Sequence, residues 1–398
     1  KNLADMVAYA KANPGKLAYG SWGTGSSGHL AMEGIKAHYG LDMPHAPYKT
    51  LVTYKERWDN ADTDTGATTS TWRDADLGSG KPENALTGTL FTVDSYRLDA
   101  ITVPYDMSNL RFWTNTAVAD IEPGQVYTLT KNLLGYEWDS DLDNGFRPAG
   151  LVPLSSTSVD VDELLMDYGT TTAAGTAQHS LTLYRAPSGA LVFGAGSVYW
   201  SWGLDSHHDL EATPTDRNVQ QAMINLFADM GVQPTTLMQS LVAASKSTDV
   251  LAPTSTISSQ ALSGSLTAAE TITITGTASD NGGGAVAIVE VSTDNGATWH
   301  RASGSATWNY KWTPLTGGNY TIRTRAVDDS INLETPGAGL AVTVNQGGAA
   351  SLFSAAETPS VPLNRDDRLV NLGVSFSTSQ AGKIVGLRYF KGTGNTGK

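Results

Sequence analysis

Two short stretches carry residue types that could do chemistry. The first is Glu137-Trp138-Asp139-Ser140-Asp141-Leu142-Asp143-Asn144-Gly145. Alternating carboxylates followed by Asn-Gly let a tight loop wrap oxygens around a hard cation. Calcium takes about six to eight such ligands and suits them better than zinc or copper does. The spacing is not that of an EF-hand: counted from Asp139, glycine falls seventh, and Gly150 stands twelfth in place of Glu. Glu137, Asp139, Asp141 and Asp143 are therefore candidate metal ligands. The same pattern also makes an acidic, solvated turn with Asp side chains bonded to the backbone.

The second stretch is Trp200-Ser201-Trp202-Gly203-Leu204-Asp205-Ser206-His207-His208-Asp209, just after the apolar run ALVFGAG. Ligand crevices of open α/β sheets form at such strand ends. Asp205 or Asp209 could orient His207 as a general base. Calcium lowers the pKa of bound water far less than zinc, so a calcium hydrolase needs such a base. His207, His208, Asp205 and Glu137 are the candidate catalytic residues. The alternative is an exposed polar loop beside two packed tryptophans. His179 reads as a satisfied strand histidine.

Composition removes several chemistries. The 398 residues contain no cysteine, so no thiol nucleophile, CxxC pair, Cys-ligated zinc or disulfide framework is present. No GxSxG occurs. A net charge of −13 lacks the basic footprint of a nucleic-acid binder. No apolar run approaches ~20 residues, which argues against a membrane span. Charged residues are only 16%, against a typical ~25%, while Gly reaches 41, so strands and turns should predominate. Lys1 is followed by no basic and apolar export signal, and both ends read as cut.

The elements that must position these residues divide by composition. Leu3, Met6, Val7 and Ala10 predict a helix stopped by Asn13-Pro14-Gly15. Lys16–Ser21 reads as a strand and Gly28–Tyr39 as a helix. Further on, Leu90–Val93, Ile101–Pro104, Val126–Leu129, Leu181–Tyr184 and Ala190–Gly194 read as strands. A helix follows Asp216, with Val219, Met223, Leu226 and Phe227 on one face, and a short one is expected over Pro234–Ser245. Residues 246–258 form a polar linker. The stretch 253–345 alternates as a β-sandwich would, with Asp280, Asp294, Asp328 and Asp329 in turns that hold a cation or merely turn the chain. Its Trp299, Trp308 and Trp312 are either sugar-stacking faces or core.

Four stretches resemble known families. DMVAYAKANPGKLAYGS, the loop Gly23–Leu30 and MPHAPYK resemble the periplasmic receptors of the tripartite tricarboxylate transporters. That resemblance implies carboxylate binding at helix N-terminal amides. The same loop spells GxGxxG, but Asp42 precedes any second strand, so a Gly-rich strand–helix turn is the better reading. YKTLVTYKERWDNAD, LGYEWDSDLDNGFRPAGLV and HSLTLYRAPSGALVFGAGSVYWSWGLD resemble the C-terminal domain of the N,N-dimethylformamidase large subunit. This implies a glutamine-amidotransferase-like α/β layer structure without a cysteine nucleophile. It also implies an iron held by two tyrosines and a glutamate. The glutamate corresponds to Glu137, and the tyrosines fall upstream of YKTLVTYKE, where this chain carries the receptor-like stretch. Residues 253–345 resemble a bacterial Ig-like module, and 352–397 the start of a β-rich domain that accompanies such modules.

The expected fold class is multi-domain, α/β plus all-β. It comprises a receptor-like fragment (1–47), a truncated dimethylformamidase-like α/β domain (48–245), an Ig-like β-sandwich (253–345) and a partial β-rich domain (350–398). The expected function is metal-dependent hydrolysis of a small-molecule acyl substrate such as a lactone, ester or amide. Calcium is the expected cofactor, and iron the alternative. An activated lactone demands less transition-state stabilisation than an amide. The competing readings are a non-catalytic surface protein with polysaccharide as partner, and a residual carboxylate receptor. Either way the protein is expected outside the bacterial cytoplasm.

Overall fold

A computed structural model describes residues 3–20, 27–45, 73, 80–166, 171–210, 212–347 and 358. The chain forms two compact units, residues 1–54 with 58–70, and residues 55–57 with 71–398. The expected strand-rich segment 352–397 lies outside the described residues except for Thr358, as does the loop core 21–26.

The first unit holds the helices Leu3–Ala12 and Ser27–Tyr39. Their apolar faces meet over Ala10, Tyr19, Leu41 and Met43. Gly15 turns the chain after the first helix with φ of 69°, the left-handed region that glycine adopts without a Cβ clash. The expected strand Lys16–Ser21 reduces to one bridge between Tyr19 and His45.

The second unit begins with antiparallel sheets. One has the order Glu137–Ser140, Leu90–Asp94, Thr157–Met166, Thr171–His179. A second joins Val152–Pro153, Thr182–Arg185 and Leu191–Gly194, and Thr102–Pro104 pairs with Val126–Thr128. Every pairing among these strands is antiparallel. The glutamine-amidotransferase-like α/β layering implied by the resemblance is thus not the arrangement of the described residues. Such a layering rests on parallel strands joined by helical crossovers, whereas these strands pair antiparallel throughout.

The helix Arg217–Asp229 covers this region. Asp216 caps it by accepting from Asn218 N. Val219 and Leu226 are buried, but Phe227, expected beside them, is exposed. Polar residues fill part of the inner face instead: Asn225 Nδ2 donates to the carbonyls of Phe112 and Thr114. No helix forms over Pro234–Ser245. Side chains of the long helix hold that segment non-helical, with Arg217 Nε donating to Ser240 O and Gln221 Nε2 to Val242 O. The core beneath is built on Trp113, Trp138, Leu133, Leu134 and Leu181.

Residues 254–345 form a two-sheet sandwich. One sheet runs Thr254–Ile257, Ile272–Ser279, Thr307–Trp312, Ser303–Gly304. The other runs Leu266–Thr267, Leu340–Asn345, Gly318–Asp328, Val286–Ser292, His300–Arg301. The period-two stretch alternates buried and exposed over Ile272–Ser279, as one solvated face requires. Trp308 lies flat across Gly276, where a Cβ would stand 2.1 Å from the indole Cζ2. Ile288, Val327 and Ile331 join the core of the preceding sheets. No helix among the described residues is long and apolar enough to cross a membrane.

Candidate functional site

The acidic stretch does not close around a cation. Glu137–Ser140 is a strand whose Glu137 and Asp139 pair with Asp94 and Phe91. Asp139 Oδ2 accepts from Thr89 Oγ1 at 2.8 Å. The side chain of Asp141 is 2% exposed and accepts from Arg147 Nε and Arg301 Nη1, each at 2.8 Å. Asp143 Oδ2 accepts from His300 Nδ1 at 2.8 Å. Burial alone would raise the Asp143 pKa, but the His300 bond and Arg147 hold it below the usual carboxylate range. The same bond raises the His300 pKa. No three of Glu137, Asp139, Asp141 and Asp143 bring ligand oxygens within 4.8 Å of one another. The structure thus does not bring the four expected calcium ligands together as one group. Glu137 and Asp139 share the partly exposed face of a strand that ends at Ser140, and beyond it two arginines already neutralise Asp141. The iron set implied by the resemblance fits no better. Glu137 acts on the neighbouring Tyr136 phenol, and the positions for two upstream tyrosines belong to the receptor-like stretch.

The second stretch does assemble. A cleft of about 430 Å³ is lined by Tyr136, Tyr199, Trp202, Asp205, His207 and His208, among others. The 3-10 turn Val198–Gly203 buries Tyr199, Trp200 and Trp202 at its base. Ser197 Oγ pins the turn by donating to Leu133 O and accepting from Gly135 N. Rings then stack outward: Tyr199 on Trp202 at 3.7 Å, and Trp202 on His208 at 4.3 Å with 5° between planes. Tyr136 meets Tyr199 on one side and the exposed Tyr96 on the other. Both faces of Trp202 are covered, so the indole builds the wall and offers no open platform.

His207 and Asp205 stand at the mouth. His207 Nδ1 lies 2.9 Å from Asp205 Oδ1, which also accepts His207 N at 2.7 Å. These two bonds hold the Asp205 carboxyl below its ordinary range. Their side chains are 93% and 70% exposed. His208 is fixed differently, through its stack on Trp202 and a bond from Nδ1 to Asp209 O. The charge of Glu137, then burial, raises the Tyr136 pKa; burial, then Tyr136 and Asp209, raises that of Tyr199. Both phenols stay protonated and can donate. Glu137 itself is not among the lining residues.

Two tyrosines and one carboxylate group escaped the reading of residues. Tyr136 and Tyr199 sit in GYEWD and SVYWSWG, beside residues that were singled out. Asp249, Asp280 and Asp328 each bring a ligand oxygen within 4.8 Å of the others, the one such group among the described residues. Asp280 and Asp328 were visible as turn residues, whereas Asp249 arrives from the linker. The remaining candidates are structural. His179 is fully buried, its Nε2 bonded to Ala195 O, and burial pushes its pKa down to about 4. Trp308 and Trp312 are core, and the guanidinium of Arg325 covers Trp299 at 4.1 Å.

Comparison with known proteins gives three family matches along the chain. Residues 1–53 match the profile of the tripartite tricarboxylate transporter family receptor. Residues 34–214 match that of N,N-dimethylformamidase beta subunit-like, C-terminal, and residues 253–323 that of a bacterial Ig domain. A UPF0065 protein of Bordetella pertussis is 52% identical over 48 residues, 12% of this chain and 15% of that protein. A UPF0065 protein in the gbd 5′ region of Cupriavidus necator is 49% identical over 49 residues, with the same shares. The chain thus spans about 15% of the length of the curated relatives it matches. Among solved structures, the fibronectin(III)-like modules of Clostridium thermocellum CbhA show 17% identity and a TM-score of 0.21, over 48% of this chain and 76% of theirs. The PKD domain of an M14-like peptidase from Thermoplasmatales archaeon SCGC AB-540-F20 shows 17% identity and 0.19, over 24% and 94%. The chain therefore carries, in order, stretches similar to the tricarboxylate transporter receptors, to the C-terminal part of dimethylformamidase beta subunit-like proteins and to a bacterial Ig domain.

Proposed function

We propose that the cleft around His207 is the active site of an acyl hydrolase acting on a small amide, ester or lactone. The dimethylformamidase-like segment supports an amidase-like hydrolase. The observation that carries the reading is the His207–Asp205 pair at the mouth of the aromatic cleft. Asp205 accepts the Nδ1 proton and so selects the tautomer whose Nε2 is a base. Nε2 takes a proton from water, and the hydroxide oxygen bonds to the acyl carbon. The carbonyl oxygen gains charge and accepts a hydrogen bond from the Tyr136 or Tyr199 phenol. Collapse breaks the C–N or C–O bond, and the imidazolium returns its proton to the leaving group.

Anilides, aryl esters and lactones of short acids test this. Wild-type protein should turn over at least one class, and His207→Ala should lose about 10²–10⁴-fold, the usual worth of a general base. Equal rates in His207→Ala and wild type overturn the site. Inactivity on the whole panel favours the non-catalytic, polysaccharide-associated alternative, which glycan binding then checks. An extracytoplasmic location goes with either outcome, and the Ig domain supports it.

A further inference from the structure

We propose that Asp249, Asp280 and Asp328 form a calcium site that ties the linker to the sandwich. The three residues come from the linker, from the loop after Ile272–Ser279 and from the end of Gly318–Asp328. Their ligand oxygens lie within 4.8 Å of one another. Oxygens on opposite sides of a calcium ion, each at about 2.3–2.6 Å, stand up to ~5 Å apart, so one ion spans the group.

The hydrogen bonds leave two of the carboxylate oxygens without a protein donor. Asp249 Oδ1 accepts from Leu251 N at 2.9 Å, while its Oδ2 is shut off from solvent and takes no partner. Asp280 Oδ2 accepts from Gly282 N at 3.1 Å and Gly284 N at 2.5 Å, while its Oδ1 is likewise buried and orphaned. Asp328 is wholly buried and held by Ser330 N, Asn332 N and Asn332 Nδ2. Buried carboxylate oxygens without donors are costly unless a cation meets them. Backbone shape is committed to the same spot: a Cβ on Gly282 would stand 1.6 Å from Asp249 Oδ1. Asp329 adds charge from the flank, accepting from Ala285 N and Arg111 N, while the Arg111 guanidinium is turned to Asp229. An all-oxygen donor set of three carboxylates selects a hard cation, and its irregular geometry suits calcium over octahedral magnesium.

The test uses the full chain, with CaCl2 titrated by calorimetry and thermal unfolding compared in CaCl2 and EDTA. Calcium should raise Tm by several degrees, and MgCl2 at the same concentration by less. Asp249→Asn and Asp280→Asn should abolish the calcium shift. Each removes one of several mutually repelling charges, so neither should melt below wild type in EDTA. A wild type that melts alike in CaCl2 and EDTA with no heat of binding overturns the site, as does a calcium shift retained in both variants. Hydrolysis by His207→Ala is read separately, so the two proposals fail independently.

Discussion

His300 Nδ1 donates to Asp143 Oδ2 across 2.8 Å, and this bond links the sandwich to the loop that follows the strand Glu137–Ser140. Beside it, Arg301 Nη1 reaches Asp141 Oδ2 at the same distance. Consecutive residues of one edge strand thus clasp two acids of the loop after Glu137–Ser140. Arg185 adds bonds to the carbonyls of Ser330 and Ile331, and Glu290 accepts from Gly150 N. Asp141 and Asp143, two of the four candidate metal ligands, thus join the sandwich to the region before it.

The clasp makes stability pH-dependent. His300 has a folded pKa raised above its unfolded value by Asp143, so its contribution is fully present below the unfolded value near 6.5. It is lost as pH rises through the folded pKa. Asp143 is depressed, so its share is present above the unfolded value near 3.8 and lost as pH falls through the folded pKa. The bond therefore contributes most between about pH 4 and 6.5. Both side chains are more than a third exposed, so the effect should stay under about 1 kcal/mol. Melting scans across pH 4–9 should show His300→Gln flattening the fall above pH 6.5. An unchanged slope removes His300 from the account.

Asp141 should matter far more. It is nearly buried between two guanidiniums, and Asp141→Ala leaves both without their carboxylate. Breaking one partner of a buried pair costs about 3–5 kcal/mol, and partial exposure of Arg301 puts this case near the lower end. Urea unfolding measures it. Asp141→Asn should keep any calcium-dependent Tm shift, because Asp141 is no part of the Asp249 group. Loss of that shift would return the ion to the 137–143 stretch.

The phenols give a prediction specific to chemistry. Tyr136→Phe and Tyr199→Phe remove only a hydroxyl that lines the cleft, and the ring stacks remain. Loss of one oxyanion donor costs up to about 10²–10³ in kcat. One of the two variants should lose turnover on the active acyl class with Tm unchanged. If both turn over as wild type does, neither phenol meets the developing charge.

Local pattern carried much of this fold. Ile272–Ser279 alternates strictly, and Asp216 before an apolar-periodic run starts a helix, because each signal depends on neighbours in sequence. The pair Thr157–Met166 and Thr171–His179 stayed hidden, since the alternation of VDVDELLM breaks at a register shift between Val161 and Leu164 and TTAAGTAQH carries no large apolar residue. The cleft was legible where its members adjoin, as Asp205, His207 and His208 do. The acidic stretch gave no hint of its partners Arg301 and His300, which lie about 160 residues away and which no spacing rule reports. Asp249 was invisible for the same reason: only the folded chain brings the linker beside Asp280 and Asp328.

Gly276 offers a direct test of the sandwich core. It sits mid-strand, where glycine ordinarily weakens a sheet. A Cβ there would stand 2.1 Å from both Trp308 Cζ2 and Thr256 O. The indole is 1% exposed and pressed against Gly276, and Thr256 O belongs to the neighbouring strand, so neither can yield without opening the sheet. Gly276→Ala should therefore destabilise by about 2–3 kcal/mol, in the range of overpacked cores, despite alanine's better strand entropy. Denaturant unfolding followed by tryptophan fluorescence reads it, with Trp308 as reporter. A stabilised Gly276→Ala would mean that Trp308 does not lie across the glycine. Trp308→Leu should partly rescue Gly276→Ala, a coupling that two independent sites would not show.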